Sequence, residues 1–165
     1  MPDYDVVVLG SGPGGYVAAI RAGQLGLKTA IVEREELGGV CLNWGCIPSK
    51  ALLRNAEVLN LIQHADDFGI SFDNLAHDFG KAIDRSRDVV GRLVRGVAML
   101  LKKNNVEHVQ GSGRLLDANT VEITDNGRRL SAKNIIIATG TRQRRIPTLP
   151  IDNEVVITCR DALGL

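Results

Sequence analysis

The chain has 165 residues, with 20 lysines and arginines against 19 aspartates and glutamates and a net charge of +1. That balance, with both signs interspersed, implies neither a nucleic-acid partner nor binding to an acidic membrane. No apolar run approaches the roughly 18 residues needed to span a bilayer, while the length suits one domain with a real core.

Tyr4 to Leu9 (YDVVVL) is a nearly continuous apolar run, the pattern of a strand buried on both faces. Gly10 breaks it, and helical spacing follows from Gly14 to Leu25 until Gly26 stops it. Thr29 to Glu33 predicts a second strand, which completes a right-handed β-α-β unit. A second helix is expected from Gly45 to about Ile62, with Pro48 in its first turn. Asn74 is the expected cap of a third helix running to about Lys103, with Leu75, Ile83, Val90, Val97 and Leu101 at helical spacing. Its lysines and arginines read as a solvated face. Val106 to Gln110 predicts a strand. Arg114–Leu116, Thr120–Thr124 and Arg128–Ser131 predict an antiparallel meander with a hairpin turn at Asp125-Asn126-Gly127. Asn134 to Thr139 returns as a buried strand and meets Gly140. After Pro147 and Pro150 the pattern is that of a linker, with one short strand at Val155–Thr158. The elements together predict an α/β, Rossmann-like domain over residues 1–149, and a linker over 150–165. It has a parallel sheet, flanking helices and a small antiparallel β-meander.

Gly10-Ser11-Gly12-Pro13-Gly14-Gly15 sets G-x-G-x-x-G between a strand and a helix, the context this pattern requires. Gly10 permits the tight turn, Gly12 lets a pyrophosphate approach the backbone, and Gly15 allows close helix–strand packing. The helix N-terminus offers free N–H groups and a positive dipole end to the phosphates. Glu33, at the end of the second strand, offers a carboxylate to ribose hydroxyls and would repel a 2′-phosphate. The fingerprint does not separate FAD from NAD.

Cys41 and Cys46 stand five apart in GGVCLNWGCIPSK, close enough to form an intrachain disulfide. A zinc site would need more ligands, and Cys159, His64, His77 and His108 offer no usable spacing, so no metal is expected. Two buried structural cysteines and a redox disulfide both remain open. The second accounts for more, because a helix N-terminus near Cys46 favours a thiolate. Exchange also needs one accessible sulfur to be attacked and another to leave. Cys159 reads as a bystander thiol, and no histidine is assigned as a base. The N-terminus has no basic region ahead of its apolar run and no Arg-rich transit pattern, so a cytoplasmic setting is expected.

GSGPGG with Glu33, GGVCLNWGCIPSKALL and IIIATGTR, taken together, resemble the flavin-binding domain of the pyridine nucleotide–disulfide oxidoreductases. The similarity runs over essentially the whole chain. Cys41-Leu42-Asn43 and Cys46-Ile47-Pro48-Ser49-Lys50 are more similar to members acting on dihydrolipoamide than to glutathione reductase. Trp44 stands where many relatives have a smaller apolar residue. The resemblance implies FAD as the cofactor, with NAD used only by the full-length parent. It implies Cys41 as the interchange thiol that meets dihydrolipoamide and Cys46 as the charge-transfer thiol beneath the flavin. Lys50 is implied near the flavin's reactive nitrogen, where it would stabilise negative charge on the reduced ring. Gly10, Ser11, Gly12, Pro13, Gly14, Gly15, Glu33, Arg34, Gly38, Gly39, Val40 and Gly45 join these three as cofactor-binding residues. Gly113 is implied at the adenine, and Thr139 with Gly140 over the diphosphate. The implied partners are dihydrolipoamide on a carrier domain of a 2-oxo acid dehydrogenase or related complex, and a second copy of the full-length parent.

Members of that family are much longer. Gly111 and Gly113 are followed by Arg114, Leu115 and Leu116, so no second G-x-G-x-x-G occurs here. The nicotinamide-binding domain is therefore expected to be absent, with the C-terminal interface domain and its His–Glu acid/base pair. The expectation is a flavin domain carrying the redox disulfide but unable alone to reduce NAD⁺. The other reading is a stand-alone FAD-binding or electron-transfer module without NAD chemistry.

Overall fold

A computed structural model describes residues 2–164. Among them, six strands form one sheet in the order β3-β2-β1-β6-β5-β4. These are β1 (Tyr4–Leu9), β2 (Thr29–Glu33), β3 (Glu107–Gln110), β4 (Gly113–Leu115), β5 (Thr120–Ile123) and β6 (Arg129–Ile137). The four strands β3, β2, β1 and β6 run parallel. β6, β5 and β4 form the antiparallel meander. The helices are α1 (Pro13–Gln24), α2 (Gly39–Trp44), α3 (Cys46–Gln63), α4 (Phe79–Lys103) and α5 (Cys159–Ala162), with a 3-10 turn at Ala65–Phe68.

The near-continuous apolar strands are explained by what covers each face. Val6, Val8 and Ile31 pack with Ala19, Ala22, Val97 and Leu101 from α1 and α4. Val7, Leu9, Ala30 and Val32 pack with Val121, Ile123 and Leu130 of the meander. The parallel sheet is thus the middle of three layers, so successive side chains are buried on opposite faces rather than alternating with polar ones. Both core clusters approach the C-terminal ends of β1 and β2, where the fingerprint turn begins.

Four sequence expectations need correction. The helix expected from Gly45 is preceded by a second short helix, α2, so the two cysteines sit on different helices hinged at Gly45. The third helix starts at Phe79, because Asp78 caps it by accepting from the Lys81 N–H at 3.1 Å. Asn74 adopts a left-handed φ of 59°, incompatible with an extended N-cap, and Leu75 precedes the helix. The strands expected at Arg128–Ser131 and Asn134–Thr139 are one nine-residue strand, β6. Its first half pairs with β5 and its second half with β1, and Lys133 in the middle is held by Asp5 at 2.7 Å. Val155–Thr158 is not a strand: the Asp152 carboxylate accepts from the N–H groups of Glu154, Val155 and Val156, and Thr158 forms a capping box with Asp161 that starts α5. No helix is long and apolar enough to cross a membrane among the described residues.

Candidate functional site

The strand-to-helix turn after β1 is built by backbone contact. Gly10 has φ +93°, and a Cβ there would fall on the backbone carbonyl of Ala138. A Cβ on Gly15 would fall on the carbonyl of Gly10, so α1 lies directly against the turn. Gly12 differs from both. Its φ of −62° suits any residue, and an added Cβ would meet no protein atom within 4 Å. Neither strain nor packing inside the protein demands glycine there, whereas a ligand pressed against the backbone at the N-cap of α1 would.

Glu33 is fixed beside this turn. One carboxylate oxygen accepts from the Ser11 N–H at 2.9 Å and the Ser11 hydroxyl at 2.8 Å, and the other from the Glu35 N–H at 2.9 Å. Burial opposes ionisation of this half-buried group, but the N–H groups of Glu35, Ser11 and Arg34 and the Ser11 hydroxyl outweigh it and hold the carboxyl below the ordinary glutamate value. A depressed folded-state value means its contribution to stability is complete above the ordinary glutamate range and is lost as pH falls through the folded value. Glu33→Gln is expected to cost about 2 kcal/mol at neutral pH, since it replaces charge-assisted hydrogen bonds. Urea unfolding of both proteins across the acid range should show the gap closing below that range.

The Gly38-Gly39 turn joins the disulfide segment to the fingerprint. The Gly38 N–H donates to the Ser11 carbonyl at 3.0 Å, and Gly39, at φ +59°, approaches so closely that a Cβ would stand 2.7 Å from Gly12 Cα. Asn43, which sequence reasoning did not single out, is buried and donates to the Leu37 and Gly39 carbonyls at 3.0 and 2.9 Å, pinning α2 to the turn. A polar residue between the cysteines was the only signal of it. Cys41 on α2 and Cys46, the first residue of α3, form a disulfide with Cα atoms 4.7 Å apart. Cys41 is half-buried against the helical side of the core, and Cys46 is exposed.

These parts enclose a cleft of about 1360 Å³. Of the residues expected around a cofactor, Gly10, Ser11, Gly12, Pro13, Glu33, Arg34, Gly39, Val40, Cys41, Gly45, Cys46, Gly113, Thr139 and Gly140 line it. Gly14, Gly15 and Gly38 do not line it; Gly15 and Gly38 shape its wall from behind. Lys50 is exposed one helical turn beyond Cys46 and is not among the lining residues. The segment expected to be a linker runs along the cleft mouth, where Thr158, Cys159 and Arg160 line it. Arg160 stacks on Trp44 at 4.4 Å and pairs with Glu35 at 3.3 Å. No cluster of three metal-ligating side chains occurs among the described residues.

A dinucleotide-type turn, a ribose-competent carboxylate and a disulfide sharing one cleft define a redox site. Residues 4–165 match the family described as pyridine nucleotide-disulphide oxidoreductase, and the chain belongs to that family. It is similar to proteins named dihydrolipoyl dehydrogenase. The Chlorobaculum tepidum protein is 51% identical over 98% of this chain, and the Mycobacterium bovis protein 54% over 94%. The Bacillus subtilis protein is 48% identical over 99%. The chain spans 34–37% of the length of these relatives.

Proposed function

We propose that the chain is the FAD-binding, redox-disulfide domain of a dihydrolipoyl dehydrogenase. The observation that carries this reading is the Cys41–Cys46 disulfide in the wall of the same cleft as Gly12 and Glu33. The residues fit the cofactor: the open backbone at Gly12 and the N-terminus of α1 suit a diphosphate, and Glu33 keeps lone pairs for ribose hydroxyls. Gly113, Thr139 and Gly140 bound the same space from the meander side. When bound, FAD supplies the acceptor for the electron pair that the reduced cysteines carry.

The chain's own chemistry is thiol–disulfide exchange. A thiolate of dihydrolipoamide attacks the Cys41 sulfur, the Cys41–Cys46 bond breaks, and Cys46 leaves as a thiolate. Cys46 is the better leaving group because it begins the 18-residue helix α3, whose N-terminal dipole favours negative charge. The second substrate thiol then displaces Cys41. Lipoamide is released as a cyclic disulfide, and the protein holds the two electrons in its reduced pair. Lys50, one turn along α3, is the proposed stabiliser of negative charge near the flavin. In the whole protein the electrons go on to NAD⁺, the substrate arrives on a carrier domain of a 2-oxo acid dehydrogenase or related complex, and two copies associate; the relatives' name, dihydrolipoyl dehydrogenase, supports the dithiol substrate of this reading. A cytoplasmic setting goes with it.

Anaerobic addition of dihydrolipoamide to the purified chain is expected to yield one lipoamide and two newly alkylatable thiols per chain. Cys41→Ser and Cys46→Ser should each yield none. A wild-type chain that leaves the dithiol unoxidised sinks the proposal.

A further inference from the structure

Arg87 of α4 points a guanidinium at the segment between the two cysteines. Its Nη1 donates to the Asn43 carbonyl at 2.9 Å, and its Cζ lies 5.1 Å from the centre of the Trp44 ring. Asn43 and Trp44 end α2, whose last carbonyls have no intrahelical partner, so a cation is well placed there. The rest of the group is unusual. Nε and Nη2 are buried and have no hydrogen-bond partner, and no carboxylate among the described residues pairs with Arg87. Arg160, the second guanidinium on Trp44, shows the ordinary arrangement, being paired with Glu35. A half-buried guanidinium with two buried, unpartnered N–H-bearing nitrogens and no counter-charge is costly, a cost that negative charge forming beside it would offset. Burial accordingly lowers the readiness of Arg87 to hold its proton.

The negative charge that forms in this segment is that of the opened disulfide. Asn43 and Trp44 lie inside the small ring closed by Cys41 and Cys46, so the guanidinium is tied by a hydrogen bond to the loop that gains a thiolate on reduction. We propose that Arg87 is a positioning residue that supplies the counter-charge for the reduced Cys41–Cys46 pair, making the disulfide easier to reduce. The inference rests on the redox-disulfide reading above and adds a residue on a different element, more than 40 positions away in sequence. The same side chain fixes the loop through Asn43, so charge and position are supplied together.

The test is a reduction equilibrium on the full chain in a Cys159→Ser background, across mixtures of dithiothreitol and its cyclic disulfide at neutral pH. Dithiothreitol gives two electrons and two protons to the cysteine pair and closes to its own disulfide. Acid quenching and alkylation, counted by mass, read the reduced fraction. Arg87→Met is expected to lower the equilibrium constant for reduction about tenfold, about 30 mV for this two-electron couple. Arg87→Lys, which keeps the charge, should stay within about threefold of wild type. Arg87→Gln, which keeps a donor for Asn43 but no charge, should follow Arg87→Met and replaces it if that variant does not fold. A wild-type-like equilibrium in the uncharged variants overturns the inference, and so does an equal shift in Arg87→Lys and Arg87→Met. A wild-type pair that resists reduction across the whole series overturns the redox reading as well, whereas a reducible pair indifferent to Arg87 overturns this inference alone.

Discussion

Gly10→Ala is expected to cost the fold about 3 kcal/mol or more, while Gly12→Ala, two residues along the same turn, leaves it within about 1 kcal/mol of wild type. The difference lies in what each Cβ meets. At Gly10 a methyl group is forced into a left-handed φ of +93° and onto the carbonyl of Ala138, a residue held just past the end of β6 by its N–H donating to the Leu9 carbonyl at 2.8 Å, so it cannot retreat without straining that bond. At Gly12 the backbone is extended and an added Cβ would meet no protein atom within 4 Å, so the chain folds around the methyl unchanged. The cost reappears in the cofactor. A methyl on the wall of the cleft where a diphosphate approaches is expected to weaken FAD binding about 10- to 100-fold, the range of an overpacked contact. Urea midpoints and flavin titrations of both variants separate the two roles. If Gly12→Ala binds FAD as wild type does, the diphosphate does not lie against this turn. If Gly10→Ala is as stable as wild type, the close approach to Ala138 is not what fixes the turn.

The two kinds of glycine also show how far the sequence reaches. The spacing of Gly10, Gly12 and Gly15 between an apolar strand and a helix carries the fold class and the ligand class together, because Gly10 and Gly15 answer close approaches within the protein while Gly12 leaves the backbone open to a ligand. β1 and β2 were legible to the residue for a similar reason, since buried parallel strands leave an uninterrupted apolar signature. What escaped depends on contacts between distant segments. α2 is six residues long and has no apolar periodicity of its own; it exists because Asn43 ties it to the Leu37 and Gly39 carbonyls and Arg87 closes its end. The continuity of β6 was hidden by Lys133 and Asn134, polar residues in a strand whose two halves answer to different neighbours. The placing of Arg160 on Trp44 has no local signature either, because it is set by where the chain returns after the meander.

The sharpest expected contrast at the site is between the two cysteines. With FAD bound, Cys41→Ser should show a long-wavelength absorption band without any reductant, and Cys46→Ser should show none before or after reduction. The asymmetry follows from the helices. Cys46 is the first residue of α3, behind a Gly45 that has no side chain to occupy the free N–H groups of the first turn. A thiolate released there gains both those donors and the dipole of an 18-residue helix. Cys41 lies within six-residue α2, half-buried against apolar neighbours including Leu42 and Leu37, an environment that disfavours charge. Cutting the disulfide from the Cys41 side therefore leaves a thiolate facing the cleft, and cutting it from the Cys46 side leaves a neutral thiol against the core. Spectra of the two variants, loaded with FAD at neutral pH, read this directly. If they are identical, the helix N-terminus is not what divides the labour between the sulfurs; if the band appears only in Cys46→Ser, Cys41 is the thiol that faces the flavin.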